Sequence, residues 1–404
     1  MKVGVQSFRG ARLREARLAR GIYMNSLADL IGVSKTAISR YEEGIDKPQE
    51  ARVEALAKHL NFPVEFFTKP EAPPHFDVVF WRSRAAETKY ARLMTEQRMT
   101  WLCEIFEFLE REIDFPVCDF PPLPIPSDFR VMTGADIENA AEFLRSYWKL
   151  WDLPIPDVTL ALENAGIPVV MMDLESEKQD GFCFYSSTLG RTFVGINTHN
   201  ISPVRARFDA AHELGHAVLH RNVTAQQSRD PVLFKLIEQQ AHRFAAAFIF
   251  PRKSFVSEVR QPSLDYFCSL KKRWGISIGA MIYRAFDLGL IDEDERGALY
   301  RNMGRRGWRG VRAEPFDHPG EMPLERPRMI RRAIEVITAE GVMSKSAFQA
   351  ALALPTRELE RLTASDPGFF DKGEVIELAV RRRAMRAVDL ESGSVVEFPR
   401  RDNR

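Results

Sequence analysis

The sequence lacks the long apolar segments of a membrane protein. None of its apolar runs approaches the ~20 consecutive residues that a helix needs to cross a bilayer. The N-terminal segment, MKVGVQSFRGARLREARLARG, also lacks the continuous apolar stretch of a signal peptide. We therefore expect a cytoplasmic protein that does not insert into a membrane.

Cysteine and net charge are both scarce. The four cysteines, Cys103, Cys118, Cys183 and Cys268, show no paired spacing, which argues against a zinc knuckle or a Cys-x-x-Cys redox site and predicts reduced thiols. The formal net charge is +1, but residues 1–70 hold twelve Lys and Arg against eight Asp and Glu. This local excess favours a polyanionic partner for the N-terminal segment.

Proline-rich stretches at 69–74 and 120–126 divide the first third of the chain and are typical of linkers. Between them, residues 86–113 repeat apolar side chains at helical intervals, which predicts one long amphipathic helix that packs between domains or protomers. A chain of 404 residues is long enough for several domains. We divide it into an N-terminal domain (1–69), a linker with the connecting helix (70–127), a central domain (128–312) and a small C-terminal domain (313–404).

The central domain shows helical periodicity on both sides of a short β-rich region. Three β-prone runs, separated by polar or Gly-containing turns, predict a small antiparallel meander at 167–172, 182–185 and 192–196. Four later segments have apolar residues at helical spacing: 204–220, 231–249, 263–272 and 277–289. The predicted fold class is α+β and mostly helical, with a five-helix N-terminal domain, a small antiparallel sheet in the central domain and a small C-terminal α/β domain.

The last part of the chain gives weaker signals. Residues 328–363 are predicted to be helical, with a second helix-turn-helix-like pair around 344–352, and residues 386–399 to form a β-hairpin. We assign this segment no chemistry. Just before it lies a basic cluster without acidic residues, made up of Arg301, Arg305, Arg306, Trp308, Arg309 and Arg312. The cluster could bind single-stranded nucleic acid by charge and stacking, or form a solvated face anchored by Trp308.

Residues 8–67 divide into five short helices with a tight turn between the second and the third. Ala28 is small where these two helices would cross, Gly32 can adopt the positive φ of the turn, and Ser34 can cap the next helix. The pattern predicts a helix-turn-helix whose recognition helix runs from Ser34 to Glu43.

The predicted recognition helix has an apolar face and a polar face. Its outward-facing candidates for contacts with bases or phosphates are Lys35, Thr36, Ser39 and Arg40. The sequence Thr-Ala-Ile-Ser-Arg-Tyr-Glu-Glu-Gly at 36–44 resembles that of Xre/Cro-type repressors, over residues 8–67. This resemblance implies that double-stranded operator DNA is a partner.

The second helix departs from the Xre/Cro pattern. In that family the second helix usually begins with a capping Thr or Ser followed by Gln, whereas this chain has Tyr23 and Met24 there. A phosphate contact would then be missing. The alternative interpretation is that the domain keeps the fold but serves as a dimerisation or docking surface, because fold alone does not fix function.

A His-Glu-Leu-Gly-His sequence carries the clearest chemistry in the chain. His212 and His216 are four residues apart, so on a helix both imidazoles project from one face and can bind one zinc ion. Glu213 lies beside them, where it can act as a general base toward the attacking water. The alternative is a pair of histidines on a surface helix without metal.

A catalytic zinc site needs a third protein ligand, and the helix predicted at 231–249 offers two candidates. Glu238 is preferred because the nearby small Ala241 and Ala245 would let the two helices approach closely, and His242 is the alternative. His220 lies one more turn along the first helix, too far for the same ion. We expect it to be a polar residue at the edge of the site or to contact one of the metal-binding side chains.

Three segments, 207–216, 238–246 and 275–291, together resemble the ImmA/IrrE family of regulatory metallopeptidases over roughly 128–312. The resemblance implies a zincin-like domain in which His212, His216 and Glu238 bind Zn²⁺ and Glu213 is the catalytic base. It also implies a substrate class, namely helix-turn-helix repressors that are cut to release stress or mobile-element genes. We expect a homodimeric regulator of this kind. The alternatives are a DNA-binding regulator whose peptidase-like domain senses a ligand, and an antitoxin-type binding protein.

Overall fold

The computed structural model describes residues 4–71, 79–81, 89–176, 179–199, 201–310, 312–318 and 320–371. Met1–Phe370 form one compact unit, and the second unit, Asp371–Arg404, lies outside the described residues except for Asp371. The β-hairpin predicted at 386–399 therefore falls outside the described part of the chain.

The N-terminal domain has the five short helices predicted from the sequence. They are α1 (Gly10–Ala19), α2 (Met24–Ile31), α3 (Lys35–Glu42), α4 (Glu50–Leu60) and a 3₁₀ helix (Val64–Thr68). Gly32 ends α2 with a φ of 65°, and the Ser34 hydroxyl accepts a hydrogen bond from the Ala37 amide at 3.1 Å. Tyr23 precedes α2 and makes no side-chain cap. The helix-turn-helix geometry and the departure at Tyr23 are thus both present.

The predicted long helix is α5 (Lys89–Glu110), which packs against the N-terminal domain. Its fully buried Trp101 lies edge-on to Phe62 and Phe66, with ring centroids 5.6 and 5.9 Å away. The guanidinium of Arg12 on α1 donates to Glu104 of α5 at 2.6 Å, and both side chains are buried. The connecting helix and the helix-turn-helix therefore share one core.

The sheet has four strands in the order β1-β3-β4-β2: β1 (Val79–Trp81), β2 (Val169–Met172), β3 (Gly181–Ser186) and β4 (Arg191–Asn197). β3 pairs antiparallel with both β1 and β4, and β2 pairs parallel with β4. One sheet face packs on the core shared with α5, through Phe182, Phe184 and Phe193, and the other face packs toward the central helices.

The α+β class with a mostly helical chain is confirmed, but the antiparallel meander is wrong. β3 and β4 form a hairpin through a tight turn, so β2 pairs with the outer edge of β4, where it runs parallel. β1 comes from the segment that the sequence assigned to a linker. A meander presumes that consecutive strands are neighbours, and the crossover between β2 and β3 breaks that rule.

The central helices follow the predicted periodicity closely. In chain order they are α6 (Gly134–Tyr147), α7 (Val158–Asn164), α8 (Pro203–Leu219), α9 (Ala225–Arg229), α10 (Pro231–Ile249), α11 (Arg252–Glu258), α12 (Leu264–Trp274), α13 (Ile278–Asp287) and α14 (Glu293–Arg305), with a 3₁₀ turn (Phe129–Val131) before α6. Ser202 caps α8 and Asp230 caps α10, each followed by Pro at the first helical position. The local sequence therefore determines where α8 and α10 begin.

Helices α8 and α10 lie in close contact at the centre of the domain. A Cβ added at Gly215 would stand 3.2 Å from the Cα and carbonyl oxygen of Ala241. Only small residues permit such an approach between two helix backbones. This contact sets the distance between the side chains that the two helices turn toward each other.

The described C-terminal residues add α15 (Met329–Ala339), α16 (Lys345–Leu352) and α17 (Thr356–Leu362). Their buried faces join the core that holds α5 and the N-terminal domain. Arg20 on α1 donates to Glu358 of α17 at 2.7 Å. The helix-turn-helix is therefore held by helices from two distant parts of the chain.

Candidate functional site

Three of the predicted site residues converge between α8 and α10. The Nε2 atoms of His212 and His216 are 3.1 Å apart. Glu238 on α10 places its two carboxylate oxygens 3.4 Å from His212 Nε2 and 3.3 Å from His216 Nε2. Both histidines are buried, and Glu238 is partly exposed. The two helices thus bring three side chains together, which we call the triangle; one candidate ligand atom from each of them lies within 4.8 Å of the other two.

The triangle fits a zinc ion. In a tetrahedral site with zinc–ligand distances near 2.0–2.1 Å, neighbouring donor atoms lie about 3.3 Å apart. The two imidazole Nε2 atoms are 3.1 Å apart, and the two carboxylate oxygens of Glu238 lie 3.4 Å from His212 Nε2 and 3.3 Å from His216 Nε2. Two imidazoles and one carboxylate are also the ligand set of a catalytic zinc site, which leaves one position open. These residues therefore suit zinc both in chemistry and in spacing.

The His216 ring is held by residues that lie behind it. His216 Nδ1 is 3.1 Å from His220 Nδ1, and His220 Nε2 is 3.0 Å from the side-chain oxygen of Gln240. The Gln240 amide in turn donates to the carbonyl of Phe129 at 2.7 Å. Burial, followed by the nearby His216, lowers the pKa of His220 to about 3. The neutral His220 fixes the ring of His216 so that Nε2 points at the triangle.

The charge on Glu238 is favoured by its surroundings. Burial would raise the pKa of this carboxyl, but hydrogen bonds with His212 and His216 outweigh burial and lower the pKa overall. An ionised carboxylate is the form that binds a metal ion. Glu238 therefore carries the negative charge that metal binding requires.

Glu213 lies on the side of α8 that faces the sheet and is 1% exposed. A Cβ added at Gly181, the first residue of β3, would stand 2.8 Å from Glu213 Oε1. The carboxylate therefore passes directly over a position where only glycine leaves room. Sequence reasoning missed Gly181, although a glycine at the start of a β-prone run is a signal of close approach.

A cleft of about 930 Å³ begins beside the triangle. His242 lines it, with its ring centroid 4.5 Å from that of His212, and the cleft extends past Arg205, Arg243 and Trp308. His242 was the alternative third ligand, but the donor atoms that lie together are those of His212, His216 and Glu238. The structure therefore places His242 in the cleft wall.

The basic cluster at 301–312 borders the same cleft. Trp308 is half-buried against the central core, and the guanidinium of Arg306 lies 4.9 Å above its ring. Arg306 also pairs with Asp265 at 3.0 Å. An arginine face anchored by Trp308 agrees with these contacts, and nucleic-acid binding by the cluster stays a prediction.

The DNA-contact candidates on α3 differ in their exposure and in the side-chain contacts that they make. Lys35 and Thr36 are exposed, whereas Ser39 is half-buried and donates to Glu43 at 2.7 Å. Arg40 is exposed but makes a two-point contact with Asp46 at 2.6 and 2.9 Å. Binding of bases by Arg40 would require this exposed pair to open, which costs little.

One residue next to the triangle was not predicted. Phe80 of β1 stacks on His216, with ring centroids 5.1 Å apart and an interplanar angle of 7°. The neighbouring prolines had predicted a linker for this segment. The β-prone run Val78-Val79-Phe80-Trp81 was the signal that could have revealed it.

Comparison with known families agrees with the two parts of the structure. Residues 162–286 match the model of a peptidase family described as an IrrE N-terminal-like domain. Residues 13–67 match the model of a second family, described as a helix-turn-helix. No curated protein that was searched matches the chain. The chain thus joins an Xre-like helix-turn-helix domain to an IrrE/ImmA-like metallopeptidase-type domain, in the predicted order. Within the described residues, no helix is both long and apolar enough to cross a membrane.

Proposed function

We propose that the chain is a transcriptional regulator whose central domain is a zinc-dependent endopeptidase that cuts a helix-turn-helix repressor. The observation that carries this proposal is the triangle of His212, His216 and Glu238, with Glu213 directly after His212 on α8. The family match over 162–286 supports it. Cutting the repressor would release stress or mobile-element genes.

Each site residue has a distinct part in this reaction. Zinc held by His212, His216 and Glu238 would supply a Lewis acid that polarises the scissile carbonyl. Glu213 would accept a proton from the attacking water at its carboxylate and deliver it to the nitrogen of the leaving amine. The water oxygen first bonds to the carbonyl carbon, and the carbon–nitrogen bond breaks afterwards, so the proton that water loses ends on the amine.

Glu213→Gln tests the peptidase proposal in cells. The variant keeps the shape of the side chain but removes the proton acceptor, which should lower cleavage by about 10²–10⁴-fold. New protein N-termini would be compared by mass spectrometry between cells with the wild-type chain and cells with the variant. We expect a helix-turn-helix repressor among the proteins cut only by the wild type.

The zinc content of Glu213→Gln is the control, because the variant should keep its metal. Cleavage products that are the same in both strains would overturn the proposal and favour a domain that senses a ligand without proteolysis. Products that depend on Glu213 but come only from proteins without a helix-turn-helix would overturn the substrate class alone.

We also propose that the N-terminal domain binds operator DNA through Lys35, Thr36, Ser39 and Arg40. The match of 13–67 to a helix-turn-helix family and the exposure of the α3 surface support it. Lys35→Ala should weaken binding to a duplex from the chain's own promoter and reduce the slope of log K against log salt by about 0.9 if one phosphate contact is lost. Lys58→Ala, an exposed lysine on α4, is the matched control and should leave both unchanged.

We also propose that the chain is a cytoplasmic homodimer and that single-stranded nucleic acid activates it by binding to the basic cluster. Its proposed domains are residues 1–69, 70–127, 128–312 and 313–404. Native mass spectrometry with and without a single-stranded oligonucleotide tests the homodimer and the nucleic-acid binding together. A monomer that does not bind the oligonucleotide would overturn both.

A further inference from the structure

The outer edge of β3 is covered by a very short strand from the chain itself. β1 has three residues, and its register places Val79 opposite Phe184, Phe80 opposite Cys183 and Trp81 opposite Phe182. The edge of a sheet is a template for an added extended peptide, because its backbone groups are free to pair. A three-residue strand gives few hydrogen bonds and is easily replaced.

The covered edge borders the metal-ligand side chains. Side chains alternate between the faces of a strand, so Gly181 and Cys183 share one face of β3. Gly181 lies against Glu213, and Glu213 contributes to raising the pKa of Cys183, after the larger effect of burial. Phe80, opposite Cys183, extends over the same face and stacks on His216. An extended peptide on this edge would therefore present one side chain beside the metal ligands.

That side chain would enter a small apolar pocket. Phe129, Val223 and Ile237 form a buried cluster separate from the two larger cores, and the half-buried Phe80 packs against it. The Phe80 ring also lies 6.2 Å from that of His220. The aromatic ring of Phe80 thus packs there mainly against apolar side chains. A phenylalanine bound here is not required to complete either of the main cores.

The pocket continues the open cleft. Met132 and Leu236 pack against the Phe129 cluster and also line the 930 Å³ cleft. A peptide-binding groove that runs past the metal ligands would need space on both sides. In this chain the cleft is open, whereas Phe80 packs against the neighbouring Phe129 cluster.

We infer that the Phe129–Val223–Ile237 pocket is the subsite for an aromatic or large apolar side chain of an extended peptide that pairs with β3, and that Phe80 occupies it in the resting chain. The inference rests on the proposed peptidase function and adds to it the substrate's binding mode and side-chain preference. Substrate must displace β1, so the chain's own strand acts as a competitor in cis.

Binding of a labelled peptide tests this without turnover. The probe is a fluorescein-labelled peptide with the sequence of residues 77–83, Asp-Val-Val-Phe-Trp-Arg-Ser, and a second probe has Ala in place of Phe. Fluorescence anisotropy is measured on the full-length, zinc-loaded chain carrying Glu213→Gln, with and without Phe80→Ala. We expect Phe80→Ala to tighten binding of the Phe peptide at least tenfold and to leave the Ala peptide weak.

Two further variants show whether the tighter peptide binding comes from the pocket. Phe143→Ala removes an exposed phenylalanine from α6 and should have no effect. Val223→Trp, added to Phe80→Ala, should fill the pocket and abolish the gain. Hydrogen exchange of residues 181–186, followed by mass spectrometry, should rise in Phe80→Ala and fall again when the Phe peptide is added. Unchanged zinc content in each variant shows that the domain has kept its fold.

Equal binding of the Phe peptide to the chains with and without Phe80 would overturn the inference. Equal binding of the Phe and Ala peptides to Phe80→Ala would do the same. These outcomes are separate from failure of the proposed function. If no repressor is cut but the peptide results hold, the subsite stands; if a repressor is cut but Phe80 has no effect on peptide binding, only the subsite fails.

Discussion

At the scale of single residues, the position of one imidazole depends on side chains outside the triangle. His216 meets His220, His220 meets Gln240, and Gln240 meets the carbonyl of Phe129. The spacing of His212 and His216 on one helix could be predicted from the sequence because it depends only on helix geometry. Gln240 could not, because its contact with His220 depends on the register between α8 and α10.

His220→Ala should weaken zinc binding without removing a ligand. Loss of the side chain leaves His216 free to rotate, and such outer contacts are worth roughly 10–100-fold in metal affinity. Competition with a chromogenic chelator measures the effect. Gln240→Glu keeps an acceptor toward His220 and is expected to lose less. Unchanged affinity in His220→Ala would show that His216 is oriented by other contacts.

At the scale of elements, the approach of α8 to α10 sets the triangle. The sequence predicted both helices and the close contact, because small residues recur where the helices face each other. It did not predict β1 or the parallel pairing of β2, because strand order depends on contacts between distant segments. Short strands have little local signal, so a three-residue strand beside prolines was assigned to a linker.

Gly215→Leu should disrupt the site from a distance. A side chain here would collide with Ala241 and Phe244, whose atoms lie 3.2 Å from the position of a Cβ. We expect a loss of roughly 1–3 kcal/mol in the free energy of unfolding and a fall in zinc occupancy, since Glu238 moves away with α10. Gly304→Leu on α14, where a Cβ would meet only the Cδ atom of Arg309 at 3.4 Å, is the control. Full zinc occupancy in Gly215→Leu would contradict this account.

Glu163 links α7 to the start of α15 and should make stability depend on pH. Burial raises its pKa to about 7, although the amides of Met329 and Arg328 donate to it and lower the pKa in part. Between about pH 4.5 and 7 the folded chain therefore holds more protons at this site than the unfolded chain, so stability falls as pH rises through this window. Glu163→Gln should remove this contribution, so that its stability relative to wild type increases from pH 5 to pH 8 in urea unfolding. A constant difference across this range would show that Glu163 titrates normally.

At the scale of the whole molecule, the helix-turn-helix packs against other helices of the chain. Buried or partly buried ion pairs join it to α5 through Arg12 and Glu104 and to α17 through Arg20 and Glu358. The order of the helix-turn-helix and the peptidase-like segment was predictable from their motifs. Their shared core was not, because the apolar face of α5 shows that it is buried but does not show against which partner.

Glu104→Ala should loosen the N-terminal domain. Arg12 is 1% exposed and would lose one of its two carboxylate partners, while Glu15 remains at 2.7 Å. We expect the free energy of unfolding to fall by roughly 1–3 kcal/mol. This is at or below the low end of the range for broken buried ion pairs, because Glu15 and the Pro70 carbonyl still accept hydrogen bonds from Arg12. Glu107→Ala, on an exposed part of α5, is the control. Equal thermal unfolding of the two variants would contradict the role of this pair.

The measurement that tests the central claim most directly is the zinc content of the purified full-length chain and two variants by mass spectrometry. The wild type should hold one zinc per chain, Glu238→Ala should lose it, and His242→Ala, which removes a side chain of the neighbouring cleft wall, should keep it. Full zinc in Glu238→Ala, or loss of zinc in His242→Ala alone, would contradict the triangle of His212, His216 and Glu238 as the metal centre.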